Sequence, residues 1–355
     1  MMRVGIGIGG GRDGWTAAAE YVQEAERLGV DSAWSSEAWG FDALTPLAYM
    51  AGRTSRITLG TSIVQAGTRT PAVVAMTALT LASLSEGRFI LGLGTSGPQV
   101  IEGWHGIPFQ RAVTRMRETV EIVRMAVRGE RVAYQGTVYQ LPLPGGQGRA
   151  LRAGAPPRAD IPIYLATLGP KSLEMTGEIA DGWIASSFMP DHGAVLIDRI
   201  RAGAEQAGRR FADLDLHAGG VVAFADDVER LIPPRKPGFA FEIGAMGSPR
   251  QNFYKDAYER QGYADLADRV QALWLAGQRD EAAALIPDAF VLKSNLLGTE
   301  AMVKERIRVY RDAGITTLRV SPAGESAAER LETLGRLMDL VREVNAETPV
   351  VAASG

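Results

Sequence analysis

Short apolar runs alternate with longer amphipathic segments along most of the chain, and this alternation constrains the fold more than any other feature. Parallel strands need a crossover of a dozen or more residues, usually a helix, so a repeated strand–helix rhythm predicts a parallel sheet. The run Arg3-Val-Gly-Ile-Gly-Ile8 predicts a first strand. Ala18, Tyr21, Val22, Ala25 and Leu28 then recur at helical spacing in a helix from Thr16 that stops at Gly29, a residue suited to a helix C-terminus. Ser32–Ser35, Ile57–Val64 and Phe89–Leu93 predict three more strands, separated by helices at Asp42–Ala51 and Pro71–Leu84. Pro71 suits a first helical position, where a missing N–H leaves nothing unpaired.

The rhythm resumes with a strand at Ile161–Leu165, a helix at Pro170–Ala180, a strand at Gly182–Ser186 and a helix at Ala194–Ala207. Leu214–Ala223 predicts a seventh strand, followed near the end by a helix at Thr299–Ala313, a strand at Thr317–Val320 and a helix at Ala327–Asn345. Eight such units predict a closed α/β (β/α)8 TIM barrel rather than an open sheet. Residues 129–160, rich in Pro and Gly, and residues 230–298, helical without a strand signal, interrupt it as two insertions expected at the catalytic rim. The 355 residues fit one domain, 1–355, because barrels of this kind carry such lengths undivided.

Composition excludes several kinds of chemistry. There is no cysteine, hence no disulfide, thiol nucleophile or cysteine-based metal site. The three histidines, His105, His192 and His217, lie far apart in sequence, so no metal site is expected. A net charge of −3 with interspersed signs predicts neither nucleic acid nor an anionic membrane as partner. No apolar run approaches a membrane span, and residues 1–10 lack a signal-peptide pattern, so a cytoplasmic protein is expected.

Two glycine motifs invite a dinucleotide reading: Gly5-Ile-Gly7-Ile-Gly9-Gly10 and Gly92-Leu-Gly94-Thr-Ser-Gly97. That fingerprint needs its glycines between a strand and the mouth of a helix. In the first motif the glycines lie within the strand, and no helix opens until after Asp13-Gly14. In the second, Pro98 follows and no clear helix opens before about Ala112. The structural alternative is that small residues let barrel strands pack, while Thr95-Ser96-Gly97 forms a strand-end loop against a ligand.

The strand ends carry the candidate chemistry, because barrel enzymes place their sites at the C-terminal mouth. Leu168-Gly169-Pro170-Lys171-Ser172 opens a helix whose free N–H groups, with the Lys171 charge, predict phosphate binding. Ser186 and Ser187 end the next strand and could donate hydroxyls to the same phosphate. Glu37, in Ser35-Ser36-Glu37-Ala38-Trp39, offers a carboxylate that is either an acid/base group or a polar anchor, with Trp39 beside it. His105, in Glu102-Gly-Trp-His105, titrates near neutrality and is a second candidate for proton transfer.

Taken in order, Leu59-Gly-Thr-Ser-Ile63, Arg69-Thr-Pro71, Ser85-Glu-Gly-Arg-Phe89, Leu91-Gly-Leu-Gly-Thr95, Leu168-Gly-Pro-Lys171 and Ile179-Ala-Asp-Gly-Trp183 resemble the luciferase-like superfamily. Gly244-Ala-Met-Gly247, Asn252-Phe253, Gly262-Tyr263 and Gly298-Thr-Glu300 extend the resemblance, within it, to the branch similar to methylenetetrahydromethanopterin reductase and F420-dependent glucose-6-phosphate dehydrogenase. The resemblance implies a deazaflavin, coenzyme F420, at the barrel mouth, with FMN as the alternative. It implies a non-proline cis peptide at Ser62-Ile63 beneath the ring, contacts from Thr95, Ser96 and Gly97, and a phosphate turn at Leu168, Gly169, Pro170 and Lys171. Two departures stand out: Glu37-Ala38 replaces an Asp-His pair, and Gly97 replaces a Glu, which argues against glucose-6-phosphate as substrate.

The expected activity is hydride transfer between the deazaflavin C5 and a small organic substrate bearing C=C, C=N or a carbonyl. Glu37 or His105 would handle the proton, and Trp39 and Trp104 would wall the substrate pocket. The rivals are an FMN-dependent luciferase-like monooxygenase, a barrel lyase or isomerase for a phosphorylated substrate, and a cofactor-binding protein without turnover. A homodimer through the apolar helix faces around residues 42–84 is expected.

Overall fold

A computed structural model describes residues 1–9, 14–247 and 252–347. Eight parallel strands form the barrel: β1 (Arg3–Gly7), β2 (Ser32–Ser35), β3 (Thr58–Thr61), β4 (Phe89–Gly94), β5 (Ile163–Ala166), β6 (Gly182–Ile184), β7 (Asp215–Ala218) and β8 (Thr317–Pro322). Each pairs with the next, and β8 pairs back onto β1 with Arg3 opposite Thr317 and Ile6 opposite Val320, which closes the ring. Around it stand α1 (Gly14–Leu28), α2 (Thr45–Ala51), α3 (Pro71–Leu84), α4 (Ala112–Val127), α5 (Pro170–Ile179), α6 (Ala194–Gln206), α7 (Glu300–Asp312) and α8 (Ala327–Ala346). The backbone N–H of Met2 donates to Asn345 Oδ1 at 2.7 Å, tying the last helix under the first strand.

The barrel interior explains the glycine motifs. Trp34 points inward from β2, donates to Ser32 Oγ at 2.8 Å and stacks on Tyr164 of β5, with ring centroids 6.0 Å apart. With Ile90, Tyr164 and Ile184 it forms a small core separate from the larger one between strands and helices. An indole fits there only because its neighbours lack side chains. A Cβ on Gly60 would lie 2.3 Å from the Trp34 ring, and one on Gly5 2.7 Å from Ser32 Oγ. Gly92 meets backbone instead: its Cβ would lie 1.8 Å from the Thr61 carbonyl oxygen. Gly5 and Gly7 lie inside β1, and Gly92 and Gly94 inside β4, and of these Gly5, Gly92 and Gly94 serve barrel packing. Gly10 and Asp13 lie outside the described residues.

Three local expectations need correction. The third strand breaks after Thr61, and pairing with β4 resumes only at Val64–Gln65; the Ser62-Ile63 peptide between them is cis. The seventh strand is two pieces, Asp215–Ala218 and Val221–Phe224, since the chain turns at Gly219-Gly220, which press on the Arg319 and Ser294 backbones. The insertion at 230–298 does contain a strand: Leu296–Gly298 pairs in parallel with Val221–Phe224 and extends the barrel rim. The insertion at 129–160 holds a two-stranded hairpin, Tyr134–Gln135 with Gln140–Leu141, fastened when the Glu118 carboxylate accepts from the Thr137, Val138 and Tyr139 N–H groups.

The helices of the second insertion have their own apolar cluster, including Ile243, Tyr258, Val270, Phe290 and Leu297. Asn252 caps the helix Phe253–Tyr258 through its Oδ1 and donates to the Ile243 carbonyl at 2.6 Å, fixing two insertion helices together. This layer stands over the mouth of the barrel beside β5 and β6, because Arg260 donates to the Leu168 carbonyl at 2.8 Å and Gln261 to the Ser187 carbonyl at 2.6 Å.

Candidate active site

A cavity of about 620 Å³ opens at the C-terminal ends of the strands. That is a size suited to a cofactor or drug-sized ligand. Its inner end lies on the barrel axis, bounded by Ser62, Ile63, Ile184 and Arg319. Its outer end runs to the first turn of α5 and is walled by Val113 and Met116 of α4, Met175 of α5, and Met246, Phe253 and Tyr254 of the insertion.

The outer end presents the start of a helix to the cavity. Gly169 precedes α5, and its carbonyl accepts from Leu173 N–H at 2.9 Å. The N–H groups of Lys171 and Ser172 therefore have no carbonyl behind them, and the helix start carries partial positive charge. A Cβ on Gly169 would meet only Ser172 Oγ, at 3.5 Å. The turn is braced from below, since Trp183 Nε1 donates to the Thr167 carbonyl at 2.9 Å while Arg260 holds Leu168.

Of the residues expected at the site, Ser62, Ile63, Thr95, Ser96, Leu168, Gly169, Pro170, Lys171, Ser186, Glu37 and Trp39 all line this one cavity. The rest stand elsewhere. Gly97 precedes the short helix Pro98–Ile101 and is not a wall residue. Ser187 turns away, at φ +49°, and donates its hydroxyl to Glu242 of the insertion. His105 and Trp104 lie in the exposed loop after that short helix, Trp104 at 66% exposure. Neither residue lines the cavity.

Glu37 lines the cavity with its hydrogen-bonding capacity already engaged. Oε1 accepts from Arg69 Nη1 at 2.6 Å and Gln65 N at 3.0 Å; Oε2 accepts from Arg69 Nη2 at 3.0 Å and Ala43 N at 3.2 Å. A carboxylate so held joins the β2 loop to the chain beyond the break in β3. Of the two roles open to it in the sequence, polar anchor fits this geometry and acid/base group does not.

Sequence reasoning missed the inner end. Arg319, in the middle of β8, reaches the cavity floor and donates to Ser62 Oγ. Among the described residues no carboxylate pairs with it, and burial pushes its pKa down to about 10, so it remains cationic at neutral pH. The readable signal was an arginine inside an apolar strand, two residues after inward-facing Thr317. Deeper in the barrel, Asp215 Oδ2 accepts from Tyr164 OH at 2.9 Å and lies 2.7 Å from His217 Nε2, while Arg3 pairs with Oδ1 at 2.6 Å. Burial keeps the His217 pKa below the ordinary value, with the Arg319 charge adding to the shift and the Asp215 bond opposing it.

A closed parallel barrel whose C-terminal mouth holds a ligand-sized cavity, running from a helix-start turn to the break in the third strand, defines a (β/α)8 protein with its candidate site at that mouth. The chain belongs to the luciferase-like monooxygenase family, whose sequence profile matches residues 1–317. It is 40% identical over 328 residues to a protein of Mycobacterium tuberculosis named as a coenzyme F420-dependent oxidoreductase, covering 90% of this chain and 94% of that one. It is 28% identical over 323 residues to the 5,10-methylenetetrahydromethanopterin reductase of Methanolobus tindarius, covering 90% and 94%. The solved F420-dependent tetrahydromethanopterin reductase of Methanopyrus kandleri superposes with a TM-score of 0.77 at 26% identity, over 94% of this chain and 97% of that one. Among the described residues no helix is long and apolar enough to cross a membrane.

Proposed function

We propose that this protein is an F420-dependent oxidoreductase that exchanges a hydride between the deazaflavin C5 and a small organic substrate bearing C=C, C=N or a carbonyl. The observation that carries this reading is the single cavity joining the Gly169–Lys171 turn to the Ser62-Ile63 bulge. The names of the relatives over nine-tenths of the chain support it.

In this reading Lys171 and the first N–H groups of α5 hold the phosphate, and Thr95, Ser96 and Ser186 hydrogen-bond the chain linking it to the ring. Ile63 and the bulge support the ring from one face. When bound, the deazaflavin supplies the hydride. The protein's own part is orientation and water exclusion: Trp39, Met246, Phe253 and Tyr254 wall the space above the bulge. With Glu37 paired and His105 outside, the Tyr254 hydroxyl is the lining group placed to donate a hydrogen bond, and burial keeps it protonated well past neutrality. That hydroxyl would give up the proton that balances the hydride and regain it from solvent after the product leaves. Ala38 leaves the β2 loop without the histidine that the sugar-phosphate dehydrogenases carry there, so a substrate other than glucose 6-phosphate fits better. Exposed Val73, Met76 and Leu84 on α3 support a homodimer, and a cytoplasmic setting accords with a cysteine-free chain.

Fluorescence titration of the apo protein with F420 and with FMN in parallel tests the reading. Binding of F420 alone, weakened about ten-fold or more in Lys171→Ala, is the expected result. Preference for FMN, or binding of neither, would overturn it.

A further inference from the structure

The cavity holds two cations at opposite ends, and only one is explained by a phosphate. Lys171 stands at the outer turn. Arg319 stands at the inner end, on the barrel axis. A guanidinium removed from water loses several kcal/mol of hydration, so such a charge is ordinarily matched by a carboxylate. Asp215 in the barrel interior and Glu37 on the cavity wall are both committed elsewhere. Asp215 is satisfied by Arg3, His217, Tyr164, Thr316 and Thr317. Glu37 is taken by Arg69 and two backbone N–H groups. The protein contact fixing Arg319 is one Nη1 donation to Ser62 Oγ, which anchors one edge of the planar fork and leaves the other edge on the cavity.

Nearby groups do not offset this charge. His217 is kept neutral by burial, and its Nδ1 has no hydrogen-bond partner. The remaining inner surface is apolar or hydroxylic, from Ile63, Ile184, Ala166 and Ser186. An unmatched, pre-oriented guanidinium on an otherwise neutral floor is a receptor for a planar oxyanion, which the fork grips with two parallel N–H···O bonds.

We propose that Arg319 forms an oxyanion subsite at the inner end of the cavity, taking a carboxylate or enolate group of the ligand bound there. The oxyanion has two chemically equivalent sources: the substrate itself, or the delocalised anion of the reduced ring. The binding claim rests only on the geometry of Arg319 and Ser62. Its place in a reaction rests on the hydride-transfer reading above.

The test separates those two dependencies. Benzoate and benzamide have nearly the same shape and differ in charge, and both fit the cavity. Calorimetric titration of the apo protein is expected to give benzoate at least ten-fold tighter binding than benzamide. Arg319→Met is expected to abolish that preference, and Arg319→Gln to do the same if the methionine variant does not fold. That outcome assigns the oxyanion to the substrate. Equal binding of acid and amide in every variant, together with a midpoint potential of bound F420 that falls by tens of millivolts in Arg319→Met, assigns it to the reduced ring. If the acid preference survives in both variants, or neither the preference nor the potential shift is seen, the subsite does not exist. None of these readouts needs turnover, so loss of activity for other reasons leaves the test intact.

Discussion

Replacing Glu37 by Gln separates the two roles that the sequence leaves open for this carboxylate. The change keeps the shape and one acceptor oxygen but removes the charge, and it places an NH2 group against the Arg69 guanidinium. Of four hydrogen bonds, the one between that NH2 and an Arg69 N–H is lost outright, and the one to the Ala43 or Gln65 N–H on the same atom goes with it. The side chain is 8% exposed and Arg69 24%, so water replaces these bonds poorly. Hydrogen bonds to a charged group contribute about 1.5–3 kcal/mol each, and breaking a buried pair from one side costs about 3–5 kcal/mol. Because Gln retains one oxygen and Arg69 remains partly wetted, the expected loss lies near the bottom of that range, about 2–3 kcal/mol. For a chain of this size that corresponds to a fall in melting temperature of roughly 3–4 °C. Differential scanning fluorimetry of the apo protein reads this directly. Single-turnover reoxidation of bound reduced F420 then reads the chemical step, expected to fall only a few-fold as the loop loosens. General acid–base groups contribute about 10²–10⁴ in rate. An unchanged melting temperature with a rate loss of a hundred-fold or more would therefore refute the anchor assignment and restore Glu37 as the acid.

Other outcomes follow from the same geometry. His105→Ala should leave the single-turnover rate and its pH profile within two-fold of the parent; a hundred-fold loss would mean that the exposed loop closes onto the cavity. Gly60→Ala drives a methyl group into a ring 2.3 Å away, and overpacking of this kind costs about 1–3 kcal/mol. Urea unfolding checks it, and an unchanged midpoint would show that Trp34 has room to move. Burial by itself would raise the Asp215 carboxyl, but His217, Thr316 and Arg3 outweigh it and hold the pKa well below the ordinary carboxylate value. A group depressed in the folded state stabilises above its unfolded pKa, near 4, and loses that contribution as pH falls below it. Unfolding measured between pH 6 and 3 should therefore steepen below about 4, and Asp215→Asn should flatten that acid limb.

The two expected cofactor contacts that stand away from the cavity, Gly97 and Ser187, show where sequence reasoning loses its grip. Each sits three residues beyond a strand end, where a single change of backbone direction decides whether a side chain faces the mouth. Ser186 lines the cavity and Ser187, at φ +49°, turns instead to Glu242. No periodicity encodes that choice. Arg319 was missed for a different reason: strand parity marks it as inward, but whether an inward arginine is matched by a carboxylate depends on residues more than a hundred positions away in sequence.

By itself the sequence determined the strand–helix alternation, the placement of all eight barrel strands and the helix start at Gly169–Lys171. Those features depend on side-chain period, helix-start chemistry and backbone sterics, all of which act within a few residues. Only the tertiary structure decided which strand ends converge, why Gly5, Gly60 and Gly92 must be small, that Glu37 is spent on Arg69, and that Arg319 is left facing the cavity. Each of these is a matter of distance and charge balance between segments remote in the chain. Closure of the ring brings them within a few ångströms of one another, and no local pattern specifies that meeting.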